Sequence, residues 1–278
     1  MKWGGCCIVK IIVSHDVDHL YPSDHFLKDL ILPKMWVRSF LHLCGGKISW
    51  STFCYRLSLP FRKRMNRIAE VMAFDRANGV PSVFFFGMDN ALGMSYSRKT
   101  AEPMIRYVLE DGFDVGVHGV DYQDAAKIRD EHDAFARLSG LTSFGLRNHY
   151  VRFDGQTFEK MNRAGYLFDS TWFNKERTEL RKPYKVGKMW EFPLHIMDTY
   201  VCHPGQVEQG IQDTVEIIRR AEKAGMPYCT ILFHDYQFDD GQDPEMKRWY
   251  METIRFCIEN HYEFISYRDA IRELESGT

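Results

Sequence analysis

At 278 residues and 45% hydrophobic composition, the chain can bury a sizeable core in one large α/β domain or two small ones. A net charge of −2 supplies no global field for nucleic acid. Seven cysteines, an odd number without CxxC spacing, indicate neither a disulfide framework nor a zinc ribbon; reduced thiols in a cytoplasmic protein are the simplest account. The start of the chain, Lys2 followed by Cys6-Cys7-Ile8-Val9, imitates an export signal. Lys10 interrupts that run, no small-residue cleavage site follows and Asp16 arrives early, so the sequence argues against one. Nothing approaches the roughly 18 apolar residues that a membrane span needs.

Along the chain, Val9 to Val13 reads as a buried β-branched strand, and Ser14-His15-Asp16-Val17-Asp18-His19 crowds carboxylates and imidazoles where it ends. Such a concentration of ionisable groups at the edge of a core is costly unless a metal or a charge network compensates it. The plainer alternative makes Asp18 a helix cap and His15 a packed core residue. Arg67 to Asn78 has helical period and stops at Gly79, and Val80 to Phe86 reads as a second buried strand. The alternation continues with a helix over Ala101 to Glu110, a strand from Phe113 to Val117, a helix from Gln123 to Leu138 and a strand from Ser143 to Leu146. Next come a helix from Thr157 to Ala164, a strand from Tyr166 to Phe168 and a strand from Trp190 to Leu194. The long helix Val207 to Ala224, the strand Tyr228 to Phe233, the pair Met246 to Asn260 and Tyr262 to Ile265, and a last helix Tyr267 to Leu274 complete it.

This β-then-α rhythm predicts a distorted (β/α) barrel of seven or eight strands in a single domain spanning 1–278, with its site at the strand C-termini. Asp16, Asp18, His118, Arg147, Asp169, His195 and His234 all fall at or just past such ends. One polar residue there is an ordinary helix cap; seven on one rim are not.

Segment 20–66 breaks the rhythm. It is rich in aromatic and bulky apolar residues, and from His19 to Arg67 nine basic residues face two acidic ones, a local balance of +7. Pro22, Pro33, Gly45-Gly46 and Pro60 cut it into short helices. Beside a barrel mouth it is either a solvated cap or a lid that meets a phosphate-bearing substrate or an anionic membrane surface.

Four short motifs, in order, resemble the polysaccharide deacetylase family (carbohydrate esterase family 4). Asp16-Val17-Asp18 looks like the family's paired aspartates, which implies Asp16 as catalytic base and Asp18 as metal ligand. Gly116-Val117-His118-Gly119-Val120-Asp121-Tyr122 is similar to Gly-x-His-x-x-x-His, making His118 a metal ligand. Arg147-Asn148-His149-Tyr150 is like Arg-Pro-Pro-Tyr, where the arginine holds the base and the Tyr150 N–H serves the oxyanion. Leu232-Phe233-His234 matches the element whose histidine is the general acid. The resemblance runs from about Val9 to Leu274, outside the insertion.

One position departs from the family. Tyr122 stands where the second metal histidine should be, and a phenol is a poor substitute for neutral imidazole. His149, in place of a proline, is the favoured third ligand; Asp121 or His19 could complete the set instead, or metal could bind weakly or not at all.

What the resemblance implies is a hydrolase that removes an acetyl group from an amino sugar or glycan precursor. Its divalent cation would most naturally be zinc, on Asp18, His118 and His149. Asp16, Arg147, Tyr150 and His234 form the catalytic set, while Trp172, His195 and Asp198 are placed at substrate, or, for the last two, behind His234. The implied partner is a small-molecule or lipid- or nucleotide-linked sugar, with peripheral membrane contact through 20–66 and no nucleic acid. Two other functions fit the same residues: metal-independent hydrolysis of a cyclic amide or ureide, and a catalytically silent glycan-binding protein.

Overall fold

The computed structural model describes residues 9–25 and 30–277. The start of the chain weighed above as an export signal therefore lies outside the described residues, as do Lys28 and Asp29 of the insertion. Among the described residues, eight of nine strands run parallel: β1 (Lys10–Val17), β2 (Val83–Gly87), β3 (Asp114–Gly119), β4 (Gly145–Asn148), β5 (Phe168–Asp169), β7 (Met189–Glu191), β8 (Ile196–Met197) and β9 (Tyr228–Leu232). The exception is β6 (Tyr184–Val186), antiparallel to β7. Sheet order is β6-β7-β5-β4-β3-β2-β1-β9-β8.

One segment nearly closes the ring. Trp190, Phe192 and Leu194 donate their N–H groups to Leu167, Asp169 and Trp172, continuing along β5. His195 then donates to Thr230, and Ile196 pairs with Ile231 of β9. Residues 189–197 thus lie beside β5 at one end and beside β9 at the other, so the expected distorted α/β barrel is observed. The sequence reading took Trp190 to Leu194 as one strand ending at His195; in fact the ladder switches partner there.

Burial on both faces explains the apolar strands. Every residue of β1 after Lys10 is buried, as are all of β2 and β9. Inside the barrel, Ile12, Phe85, Phe168, Phe192 and Tyr228 pack on Tyr267 and Ile271 of α10 (Tyr267–Ser276). That helix closes the barrel end where the strands begin: Lys10 reaches Glu273, and Arg268 reaches Asp114. Gly145 is required here, since a Cβ would lie 2.2 Å from the Phe168 ring. The opposite end, where strands finish, is left for the site.

Outside the sheet pack α3 (Ile68–Ala77), α4 (Arg98–Glu110), α5 (Ala125–Ser139), α6 (Thr157–Ala164), α8 (Val207–Lys223) and α9 (Pro244–Glu259), with the short α7 (Asp198–Val201) at the rim. The insertion forms α1 (Ile31–Cys44) and α2 (Trp50–Ser58). Pro33 does not cut α1, contrary to expectation, because it sits in the first turn, where its missing N–H has no partner to lose. Tyr262 to Ile265 makes only a single bridge, Ile11 to Phe264, instead of a strand. The β6–β7 hairpin went unpredicted, although Gly187-Lys188 between Val186 and Met189, with Gly187 at φ +59°, is a two-residue hairpin turn.

The described cysteines Cys44, Cys54, Cys202, Cys229 and Cys257 are all free. Among the described residues no helix is long and apolar enough to cross a membrane.

Candidate active site

Adjacent parallel strands in register bring the polar residues together. β1 carries Asp16 and Asp18 past the end of the core, β3 carries His118, and β4 carries Arg147 opposite it. His149 follows β4, and His234 follows β9 beside β1.

Asp16 and Arg147 form the inner layer. The Arg147 guanidinium, fully buried, donates from Nη1 to Asp16 Oδ1 at 2.9 Å. Its other donors reach Ser14 Oγ at 2.8 Å, the Ser170 carbonyl and hydroxyl, and Tyr267 OH at 3.2 Å, and its Cζ lies 4.8 Å over the Phe85 ring. Burial alone would lower this group's proton affinity, but the Asp16 charge reverses that and holds it cationic. Asp16 is therefore an oriented carboxylate, with its second oxygen 3.7 Å from His118 Nε2.

Asp18, His118 and His149 make the outer layer. His118 Nδ1–H donates to the Arg147 carbonyl at 3.0 Å, and His149 Nε2–H donates to the Leu92 carbonyl at 3.0 Å. A carbonyl can only accept, so these bonds fix both tautomers when the rings are neutral. The lone pairs of His118 Nε2 and His149 Nδ1 then face each other at 3.0 Å, and both face Asp18 Oδ1, at 3.3 and 3.5 Å. That oxygen is buried and has no hydrogen-bond partner. Three convergent acceptors, all within 4.8 Å of one another, have no protein proton between them unless a ring is charged.

The site thus demands one positive charge. Burial opposes charge on Asp18, yet the imidazoles of His149, His118 and His234 outweigh it and hold the carboxyl well below its ordinary value. Burial also works against a proton on His118, but Asp16 and Asp18 draw one in and raise its pKa, whereas burial lowers that of His149. A divalent cation answers the same demand without protonating a ligand. Two neutral imidazoles with carbonyl-fixed tautomers and one ionised carboxylate are an open-sided zinc-type donor set, so these residues fit the group.

Of the other completions, Asp121 caps the next turn by accepting from the Gln123 and Asp124 N–H groups, and His19 pairs with His25 at 3.0 Å. Tyr122 is half-buried, and its backbone carbonyl accepts from the Thr157 hydroxyl.

His234 completes the ring. Its Nδ1–H donates to Asp198 at 2.9 Å, its backbone N–H donates to the same carboxylate at 2.7 Å, and its Nε2 lies 3.7 Å from Asp18 Oδ2. Burial would lower its pKa, but Asp198, then Asp18 and Asp16, push it up to about 10. At neutral pH it holds a proton it can give.

The loop after β4 is strained. Tyr150 and Val151 have φ of +59° and +48°, which for consecutive non-glycine residues, one β-branched, costs on the order of 1–3 kcal/mol each. The strain folds His149 inward while Tyr150 stays half-exposed, its hydroxyl donating to the same Leu92 carbonyl at 2.9 Å.

Of the three residues placed at substrate or behind His234, Asp198 takes the second position, and His195 and Trp172 are buried. Asp198 is fully buried, its carboxylate engaged by His234, Gln237 and the Thr199 N–H, so it holds the imidazole and does not face the mouth. His195 has both ring nitrogens occupied: Nε2–H donates to the Arg181 carbonyl, and Nδ1 accepts from Thr230. Burial lowers its pKa to about 4, which fits a structural strap. Trp172 is largely buried, with Arg181 stacked 4.2 Å over its ring.

Sequence reasoning missed Ser14, Ser170, Tyr267 and Gln237. Ser14 has a signal, lying two residues before Asp16 and hence on the same strand face. The others come from distant segments and have none.

Comparison with solved structures agrees with the fold. The chain superposes on a protein assigned as a polysaccharide deacetylase from Mycobacterium smegmatis with TM-score 0.61 and 15% identity, over 98% of this chain and 92% of that one. A carbohydrate esterase family 4 pseudoenzyme from Bacillus anthracis gives TM-score 0.51 at 8% identity, over 96% of this chain and 66% of that one. The chain therefore has the polysaccharide deacetylase fold. No protein-family model matches the sequence, and no curated protein matches it.

Proposed function

We propose that the protein is a divalent-metal-dependent hydrolase that removes an acetyl group from an amino sugar or glycan precursor, of the kind used to build surface polysaccharides. The observation that carries this is the meeting of three ligand atoms, on Asp18, His118 and His149, between an Arg147-held carboxylate and an Asp198-held imidazolium. A bound cation would supply Lewis acidity toward the acyl carbonyl and its attacking water.

The chain's own residues divide the proton work. Asp16, aimed by Arg147, takes the proton of the attacking water. His234, kept charged by Asp198, gives a proton to the leaving amine. The Tyr150 N–H is the second oxyanion donor that the family resemblance supplies, a group typically worth about 3 kcal/mol. A binding module needs neither a base with its orienter nor an acid with its own.

The test is acetate release from N-acetylhexosamine oligosaccharides by zinc- or cobalt-loaded protein. Asp16→Asn should lower kcat/KM by about a thousandfold, within the range for a lost general base. Full activity after metal stripping, or in the Asp16→Asn variant, would defeat the reading.

A further inference from the structure

From Leu30 to Arg67 the chain contains eight basic residues and no aspartate or glutamate, in a protein whose net charge is −2. Three of these cations are spent internally: Arg56 on Asp243, Arg64 on Glu70, and Arg67 on Asp239. Arg38, Lys47 and Lys63 are exposed and have no ion-pair partner among the described residues.

The helices between these cations are turned the wrong way round for a soluble cap. On α1, Val37, Phe40 and Leu41 lie at helical spacing along one face, and that face points to solvent, as does Leu30 just before the helix; Val37 and Leu41 are each 63% exposed. The side that α1 buries offers Leu32 and Ser39. Phe53 of α2 meets both Phe40 of α1 and Trp50, and Trp50, Leu57 and Phe61 just beyond α2 are exposed as well, the last to 89%. Scattered apolar residues are ordinary on a surface, but a contiguous helical stripe is not.

This surface adjoins the site. A side chain at Gly93 would lie 3.5 Å from Ile31 Cδ1, at the start of α1, and 3.6 Å from the Tyr150 hydroxyl. Leu92, whose carbonyl fixes the His149 tautomer, is itself exposed there.

We infer that the α1–α2 hairpin docks in the interface of an anionic lipid bilayer, holding the active-site mouth against it. Apolar side chains flanked by cations, with no acid to repel phosphate headgroups, are what an interfacial helix presents. A second copy of the chain fits worse, because a two-fold contact would set this basic segment against itself. The docking stands on the hairpin alone. Its consequence, that the acetylated sugar is presented on a membrane-bound lipid carrier, rests on the deacetylase reading.

The experiment is co-sedimentation of the full chain with vesicles of equimolar phosphatidylcholine and phosphatidylglycerol, and with vesicles of phosphatidylcholine alone. Binding should strongly favour the anionic vesicles, and Arg38→Glu/Lys47→Glu/Lys63→Glu should weaken it by on the order of a hundredfold. Val37→Ser/Phe40→Ser/Leu41→Ser should remove the part that survives high salt. Neither set should change acetate release from a soluble oligosaccharide. A wild-type protein that stays in the supernatant with both vesicles overturns the inference, as does equal binding by the charge-reversed variant. So does a native dimer that the serine variant dissociates. Vesicle binding by a protein that releases no acetate would remove the deacetylase reading and leave the docking intact.

Discussion

Two clusters of buried carboxyl groups sit on the same rim and resolve the same problem differently. Around Asp18 the negative charge faces imidazole nitrogens whose protons point away, toward the Arg147 and Leu92 carbonyls. Between β5 and β7, Asp169 and Glu191 lie directly opposite each other, both fully buried. Burial raises both carboxyls, and Glu191 keeps its proton well above the carboxylate range and shares it with Asp169. Oδ2 of Asp169 and Oε2 of Glu191 have no other partner, so one proton satisfies both. Their remaining oxygens accept from the Thr171 hydroxyl and the Trp172 N–H, anchoring the loop whose Ser170 holds Arg147. A locked proton suits a structural tie, whereas convergent lone pairs suit an exchangeable cation. That difference separates support from chemistry on one barrel end.

The largest effect is expected where the lone pairs meet. His149→Ala removes a ligand atom with no neutral nitrogen nearby to replace it, so bound metal should fall from stoichiometric to near zero by elemental analysis. Metal affinity in the wild type should also rise with pH, because the proton drawn onto His118 competes with the cation. Affinity that is flat in pH, or unharmed by His149→Ala, would erase the distinction between the two clusters.

The second cluster predicts a smaller, stability-only effect. Glu191→Ala strands the Asp169 charge and should cost about 3–5 kcal/mol. Glu191→Gln can still donate to Asp169 and accept from Trp172, and should cost far less. The sign with pH is specific. With its pKa raised from the ordinary 4.5, Glu191 contributes stability that is complete below that pH and lost as pH rises. Chemical denaturation should therefore show wild type losing stability relative to Glu191→Gln, by about 1.4 kcal/mol per pH unit above the ordinary value.

The contrast also marks what is legible in the sequence. Asp16, Asp18, His118, Arg147 and His234 each lie at a strand end, and parallel register alone brings strand ends together, so their convergence follows from the β-then-α alternation. His149 is legible only as an oddity beside a missing histidine; what aims it inward is a carbonyl at Leu92, and backbone atoms leave no trace in composition. The Asp169–Glu191 pair depends on β7 lying next to β5, and the short hairpin that places it there interrupts the expected rhythm. Tyr267 reaches Arg147 from a helix 120 residues away. The orientation of α1 was likewise hidden, because periodicity locates an apolar stripe without saying which side meets the barrel.

The smallest effect concerns the strap where the 189–197 segment changes partner from β5 to β9. His195 is 4% exposed, and burial lowers its pKa from 6.5 to about 4. Its contribution is therefore complete above pH 6.5 and lost as pH falls toward 4, since the unfolded chain takes up a proton that the folded ring refuses. Over that interval the loss amounts to about 3 kcal/mol. This slope runs opposite to that of Glu191, so the two must be read as differences from their own variants. His195→Gln lowers stability at neutral pH by removing ring hydrogen bonds, and it should flatten the acid limb by one proton's worth. If the difference between wild type and His195→Gln stays constant from pH 6.5 to 4, the imidazole is titrating in the folded protein. The barrel seam would then be open to water where the structure closes it.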